Sequence, residues 1–227
     1  MTAPEEVLAA LDAVRDPELD EPVTSLGFVA SCTVSADGVA SVRLRLPTYF
    51  CAPNFAYLMV ADAFDAVSAV EGVREADVVL VDHFASDTIN AGVAARAGFV
   101  GTFGDEANDE LDELRRGFLR KAVLAGTDRV CRPLVARGED VVALRLGDLA
   151  PTPEVETLRA RRAELGLPSS DDAPLLVDVE TGRPVTPGDQ RLHLGRARLS
   201  RVNIEANSSI CRGMLAHRYS STEEGPQ

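Results

Sequence analysis

Apolar residues share one helical face from Pro4 to Val14 through Val7, Leu8, Leu11 and Val14, which predicts a helix with Thr2 as its cap. The period then changes to two. Phe28, Ala30, Cys32 and Val34 alternate with Ser31 and Thr33, Ala36-Asp37-Gly38 supplies a hairpin turn, and Val42, Leu44 and Leu46 alternate with Ser41, Arg43 and Arg45. Helical spacing returns with Phe55, Leu58, Met59 and Val67, over a helix from Pro53 to about Val70, and Asp77 to Val81 reads as a third strand. Helix on a small mixed sheet is the architecture that matches this α-β-β-α-β order.

Beyond residue 100 the pattern is mainly helical. Asp105 to Ala125 carries Leu111, Leu114, Phe118 and Ala122 on one face, with Gly126 as a stop. Thr127 is a cap for a short second helix through Cys131, limited by Pro133. Glu139 to Leu146 is a short apolar run, and Pro153 to Leu165 is a helix with Thr152 as cap and Gly166 as terminator. After the polar stretch Pro168 to Pro174, Leu175 to Val179 reads as a strand, and Gln190 to Ile204 has strand-like alternation. Asn207 would cap a last helix, Ser208 to Tyr219, before a frayed end at 220–227. The expected fold class is α+β: a small α-β-β-α-β N-terminal domain over residues 1–100, then a helical region over 101–167 and a small strand and helix tail over 168–227, the two forming a helical then β-containing C-terminal extension.

Composition narrows the function classes. Of 227 residues, 45% are hydrophobic and 26% charged, as in an ordinary globular protein. A net charge of −13 argues against nucleic acid as the main partner. The lack of a long apolar run and the acidic N-terminus, Met1 to Glu6, argue against a membrane span and a secretory signal. Four cysteines in a chain of this length do not make a disulfide framework, so a cytoplasmic, reduced protein is expected. The charge is uneven. Residues 1–82 hold 14 acidic and 4 basic side chains, whereas residues 183–218 hold 7 arginines against Asp189 and Glu205. The basic tail is therefore expected to dock on the acidic N-terminal domain, within the chain or across a homodimer, with Leu192, Leu194, Leu199, Val202 and Ile204 supplying the buried area and Cys211 brought towards Cys51; the alternative is that it binds an acidic client.

The chemistry concentrates at Leu46-Pro47-Thr48-Tyr49-Phe50-Cys51-Ala52-Pro53, where a strand hands over to a helix. A cysteine beside the free N–H groups of a helix start favours its thiolate, the form that attacks electrophiles and binds metals. The alternative is a small buried cysteine without chemistry. Cys211, near the expected cap Asn207 and beside Arg212, and Cys131, between Arg129 and Arg132, are expected in electropositive settings. Cys32 reads as a core residue. With no CxxC spacing there is no closed zinc site, but Cys51, Cys131 and Cys211 remain candidates for convergent soft ligands. Asp16 and Glu18 are candidate paired carboxylates, although Asp16-Pro17 is equally a plain turn signal. His83 reads as a partly exposed loop residue, and His193 as pointing to solvent.

Asp16-Pro17-Glu18 with Leu26-Gly27, Thr48 and Cys51 at the strand-to-helix turn, Gly72-Val73 before the third strand, and the stretch from Asp82 to Gly98 together resemble the SufT/PaaD-like iron–sulfur cluster assembly family, over roughly residues 4–100. Two departures stand out. The family usually has Cys followed directly by Pro, where this chain has Cys51-Ala52-Pro53, and Asp82-His83-Phe84 replaces an aromatic-rich run. The resemblance implies a non-catalytic maturation factor that assembles or delivers an iron–sulfur cluster or iron, held transiently. Cys51 would be the reactive thiolate, with Asp16, Glu18 and Thr48 shaping its surroundings. Implied partners are a client metalloenzyme, by analogy an oxygenase, or the iron–sulfur assembly machinery. Two other readings stand beside it: a scaffold subunit of a metalloenzyme complex that binds no cluster, and an enzyme with Cys51 as nucleophile, for which no base is evident.

Overall fold

The computed structural model describes residues 2–104 and 111–220 and divides into two compact units, one of residues 1–112 with 207–227, the other of residues 113–206. The boundaries differ from the three-part division read along the sequence, because the end of the chain joins the N-terminal unit.

That unit runs α1 (Pro4–Leu11), β1 (Arg15–Asp16), β2 (Glu21–Pro22), β3 (Val29–Val34), β4 (Val39–Leu44), α2 (Pro53–Ser68), β5 (Glu75–Leu80), α3 (Ser86–Ala94) and α4 (Gly98–Phe103). Ala3 rather than Thr2 caps α1: its N–H donates to the Glu6 carboxylate, while the Thr2 hydroxyl donates to the Glu71 carbonyl at 2.7 Å. The strand order is β3-β4-β5, with β3 antiparallel and β5 parallel to β4. A parallel pair needs a crossover, and α2 supplies it. Gly38, at φ +83°, makes the β3–β4 turn in a conformation that costs other residues. Alternation in β4 sends Ala40, Val42 and Leu44 into a core shared with Val7 and Leu11 of α1 and Ala56, Val60 and Ala63 of α2. On the other register Arg43 pairs with Asp77 of β5 at 2.7 Å.

The second unit is built on α5 (Asp112–Ala136), α6 (Pro153–Glu164) and the first part of α7 (Gln190–Ser220). Three expectations are corrected in these helices. Gly126 and Thr127 do not end one helix and cap another. Both are buried inside a continuous α5, where the Thr127 hydroxyl donates to the Val123 carbonyl at 2.8 Å, and Pro133 lies within the helix. The start of the expected helix, residues 105–110, lies outside the described residues. The strand at Leu175 to Val179 reduces to isolated pairings of Arg145 with Pro174 and Val177 with Pro184. Gln190 to Ile204 is helix, not strand, and Asn207 lies inside α7 rather than capping it. The helix turns His193, Ala197 and Ile204 inward and leaves Leu192 and Leu199 about 60% exposed, at 59% and 61%. The alternation of leucines had hidden this face because its inward residues are partly polar. By contrast α6 follows expectation, with the Thr152 hydroxyl accepting the Val155 N–H and Gly166 at φ +74° beyond its end.

Candidate functional site

Cys51 sits on the turn between β4 and α2, next to Ala52, the residue that caps α2, and Pro53, its first residue. Proline fits that position because its missing N–H has no intrahelical partner there. The Thr48 hydroxyl lies 3.3 Å from Cys51 Sγ and accepts the Phe50 N–H at 3.2 Å. A hydroxyl so placed accepts from a thiol and donates to a thiolate, so Thr48 accommodates both states of the sulfur.

His83 is the residue that sequence reasoning underrated. It is buried, only 3% exposed, instead of lying open on a loop. Its Nδ1 accepts the Ala85 N–H at 3.2 Å, so the proton belongs on Nε2, which donates to the Cys51 carbonyl at 2.7 Å. Burial pushes its pKa below the ordinary value, and the nearby Arg218 guanidinium pushes the same way. A neutral imidazole therefore pins the backbone of the Cys51 turn. The Phe84 N–H adds a bond to the Tyr49 carbonyl at 3.1 Å. Tyr49, Phe50 and Phe84 cluster beside it, with Phe50 and Phe84 centroids 6.0 Å apart and Phe50 77% exposed.

The C-terminal half of α7 completes this unit. Arg218 donates to the carbonyl of Leu46, where the turn begins, at 3.1 Å, and to the carbonyl of Asp82, just before His83, at 2.6 Å; it also pairs with the Asp82 carboxylate. One guanidinium thus staples both loops that hold Cys51. Asp82 stands at φ +55°, an uncommon conformation for a non-glycine, and its carboxylate also accepts the Tyr219 hydroxyl at 3.0 Å. Arg212 bonds the Ser25 carbonyl and the Glu21 carboxylate, and Leu215 is buried in the same core as Phe28 and Leu46. The tail therefore docks within the chain, but not through the residues expected to bury area. Leu215, with Cys211 and Tyr219 packed against the same core, does that work, while Leu192, Leu199 and Val202 stay exposed. Sequence gave no signal for Arg218, since its partners stand 172 and 136 positions away.

Asp16 and Glu18 lie in the short β1–β2 hairpin. The Asp16 Oδ1 accepts the N–H groups of Glu18 and Leu19, both at 2.9 Å, so the turn reading of Asp16-Pro17 holds as well. Asp16 is 8% exposed, and burial raises its pKa to about 6 against the two backbone bonds, with Glu18 and Glu21 adding to the rise. Glu18 accepts from the Asn207 side chain at 3.3 Å.

The other two thiols differ from expectation. Cys211 lies inside α7, far from any helix start, and burial raises its pKa to about 11, reinforced by the charges of Asp16, Cys51 and Glu18. The charges of Cys51 and of the acidic pair thus all act on Cys211. Cys131 belongs to the second unit, is 1% exposed in its core, and burial pushes its pKa up to about 12 despite the Arg162 charge nearby. Its sequence neighbours Arg129 and Arg132 do not set its field. Cys32 is half-buried on β3 with its pKa raised by burial. His193 is 9% exposed, not turned to solvent, and burial lowers its pKa. Among the described residues no group of three or more His, Cys, Asp or Glu side chains is arranged to hold a metal ion. No described helix is long and apolar enough to cross a membrane.

Residues 4–78 match the family described as iron-sulfur cluster assembly protein, the SufT/PaaD-like family. The match takes in Asp16, Glu18, Thr48 and Cys51 and ends before His83. An uncharacterized protein of Methanocaldococcus jannaschii is 29% identical over 90 residues, covering 40% of this chain and 93% of that protein. No solved structure matches significantly.

Proposed function

We propose that the N-terminal unit, which carries the match to iron–sulfur cluster assembly proteins, is a non-catalytic maturation factor that hands an iron–sulfur cluster or iron to a client metalloenzyme through Cys51. The observation that carries this reading is the placement of Cys51 within the matched segment, on a turn whose backbone is pinned by His83 and whose sulfur meets the Thr48 hydroxyl. A single thiolate makes one bond to such cargo, whereas a stably held cluster takes about four protein ligands. The remaining ligands would come from the donor or the client, and a cargo held by one bond here leaves readily. Thr48 would keep the empty thiolate hydrogen-bonded between transfers. The exposed rings of Tyr49, Phe50 and Phe84 would exclude water around the sulfur when a client docks.

The test is anaerobic addition of ferrous iron and sulfide to the full chain, followed by transfer to an apo-ferredoxin acceptor. Visible absorbance, bound iron and acceptor activity are the readouts. The intact chain should carry iron and pass it on, and Cys51→Ser should lose both, with a stability change of no more than about 1–2 kcal/mol. Equal iron loading and transfer by Cys51→Ser would remove Cys51 from the function.

A further inference from the structure

Outside the Cys51 unit, the largest unexplained feature is the outward face of α7 between Arg191 and Val202. Leu192, Gly195, Leu199 and Val202 recur at spacings of three and four and so share one helical face. Leu192 is 59%, Leu199 61% and Val202 45% exposed, although the opposite face of the same helix buries His193, Ala197 and Ile204. A helix with two apolar faces has one more than its own fold uses.

The shape of this face is concave. A groove of about 520 Å³ runs along Leu192, Gly195 and Leu199, and nothing lies within 4 Å of where a Gly195 side chain would begin. A second hollow of about 590 Å³ opens beside it between α5 and α7, lined in part by Val135 and Leu194. The charge around both is mainly basic. Arg191 and Arg196 flank the first groove; Arg132, Arg191 and Arg198 line the second, where the lining carboxylate, Asp128, is paired with Arg201. Among the described residues none of these four arginines has a carboxylate partner; Arg201, by contrast, is held by Asp128 and Glu205.

We propose that this face of α7 docks an acidic amphipathic helix of a partner protein, whose apolar side chains enter the groove around Gly195 and whose carboxylates meet Arg191, Arg196 and Arg198. Charge complementarity selects this occupant. A second copy laid along the same face would set mainly arginines against arginines, because Asp128 and Glu205 are already paired with Arg201 and Arg129. A lipid surface would meet the ridge of Leu192 and Leu199 but leave the hollows unfilled, whereas a helix fills them with side chains at matching spacing.

The test uses the full chain and a fluorescein-labelled synthetic peptide of three heptads, with Leu on one face and Glu flanking it. Controls are a peptide of the same composition with its order scrambled and one with Lys in place of Glu. Fluorescence anisotropy should give saturable binding of the acidic peptide only, weakened tenfold or more by Leu199→Asp and by the double change Arg191→Glu with Arg198→Glu. All altered positions are exposed, and circular dichroism checks that each variant keeps its helix content. The proposal is overturned if the scrambled peptide binds equally, if the variants bind as the native chain does, or if no peptide binds. Sedimentation showing a dimer that Leu199→Asp dissociates would assign the face to a second copy. Co-pelleting with phosphatidylserine vesicles that outcompetes the peptide would assign it to a membrane.

Discussion

Cys51 and Cys211 belong to the same unit, and the charge of Cys51 reaches Cys211, but the chain places the two differently. Cys51 rides on a turn, held by bonds to its backbone carbonyl and to its sulfur. Cys211 faces inward from the middle of a helix, with buried Asp16 and Glu18 for company. Each had a basic or helix-start neighbour to recommend it along the sequence, yet only the turn leaves a thiol at an element boundary. Adjacent residues on a helix point some 100° apart, so an arginine next to a helical cysteine need not face it. The electrostatics of a thiol follow from what crosses over in space.

The sharpest way to break the comparison is alkylation of the native chain by iodoacetamide at pH 8 with mass mapping. A thiol at about 11 has roughly one part in a thousand as thiolate there. Cys51, at the boundary of an element, should therefore lead Cys211 by about tenfold or more, and Cys131, buried and at about 12, should trail both. Cys211 reacting within a factor of about three of Cys51 would erase the distinction.

Next in size is the packing that hides Cys211. Leu215→Ala removes a fully packed side chain one turn along the same face. It should cost about 2–4 kcal/mol in urea unfolding and raise the alkylation rate of Cys211 more than that of Cys51. A loss confined to stability, with both rates unchanged, would mean that burial of Leu215 and shielding of Cys211 are unrelated.

Asp16 sharpens the electrostatic half of the contrast. Its pKa in the fold, about 6, lies above the ordinary 3.8, so the fold prefers the proton. That contribution to stability is complete below 3.8 and is lost as pH rises through about 6, leaving a charged, buried carboxylate at neutral pH. Asp16→Asn keeps an oxygen for the Glu18 and Leu19 N–H groups. It should stabilise the protein by about 2 kcal/mol at pH 7.5, have little effect below pH 4, and speed alkylation of Cys211 severalfold. Melting curves across that range check the sign, and a destabilised variant at pH 7.5 would reverse it.

The smallest effect concerns the staple on the Cys51 side. Arg218→Ala frees the Leu46 and Asp82 carbonyls, which water can then satisfy, at a cost of about 1 kcal/mol. The Cys51 alkylation rate should shift about twofold as the turn loosens, while Cys211 holds steady. A change in Cys211 alone would place the anchor at the wrong thiol.

Much of this unit is legible in the sequence because its elements bury one clean face each. The alternation of Val42 and Leu44, the turn at Gly38 and the helix opening at Pro53 are all found where their patterns place them. The second unit resists the same reading. α7 turns His193 and Arg201 towards the interior and leucines towards solvent, which inverts the rule that periodicity depends on. α5 carries Gly126 and Pro133 inside a helix that packing sustains. At the site, Thr48 and Cys51 are neighbours in sequence and were found together, whereas His83 and Arg218 act through backbone carbonyls from distant segments, a role that leaves no motif.

The discontinuity of the N-terminal unit has a consequence for its birth. Residues 113–206 are, in topological terms, an insertion into a fold whose closing helical segment is made after them. At typical synthesis rates of about 5–20 residues per second, roughly 7–27 s separate the emergence of the sheet from that of Leu215 and Arg218. During that interval the nascent chain presents the pocket that Leu215 will fill and the two loops that Arg218 will join. The inserted unit has all its residues in one stretch and can close first, so the thiol turn is completed after it.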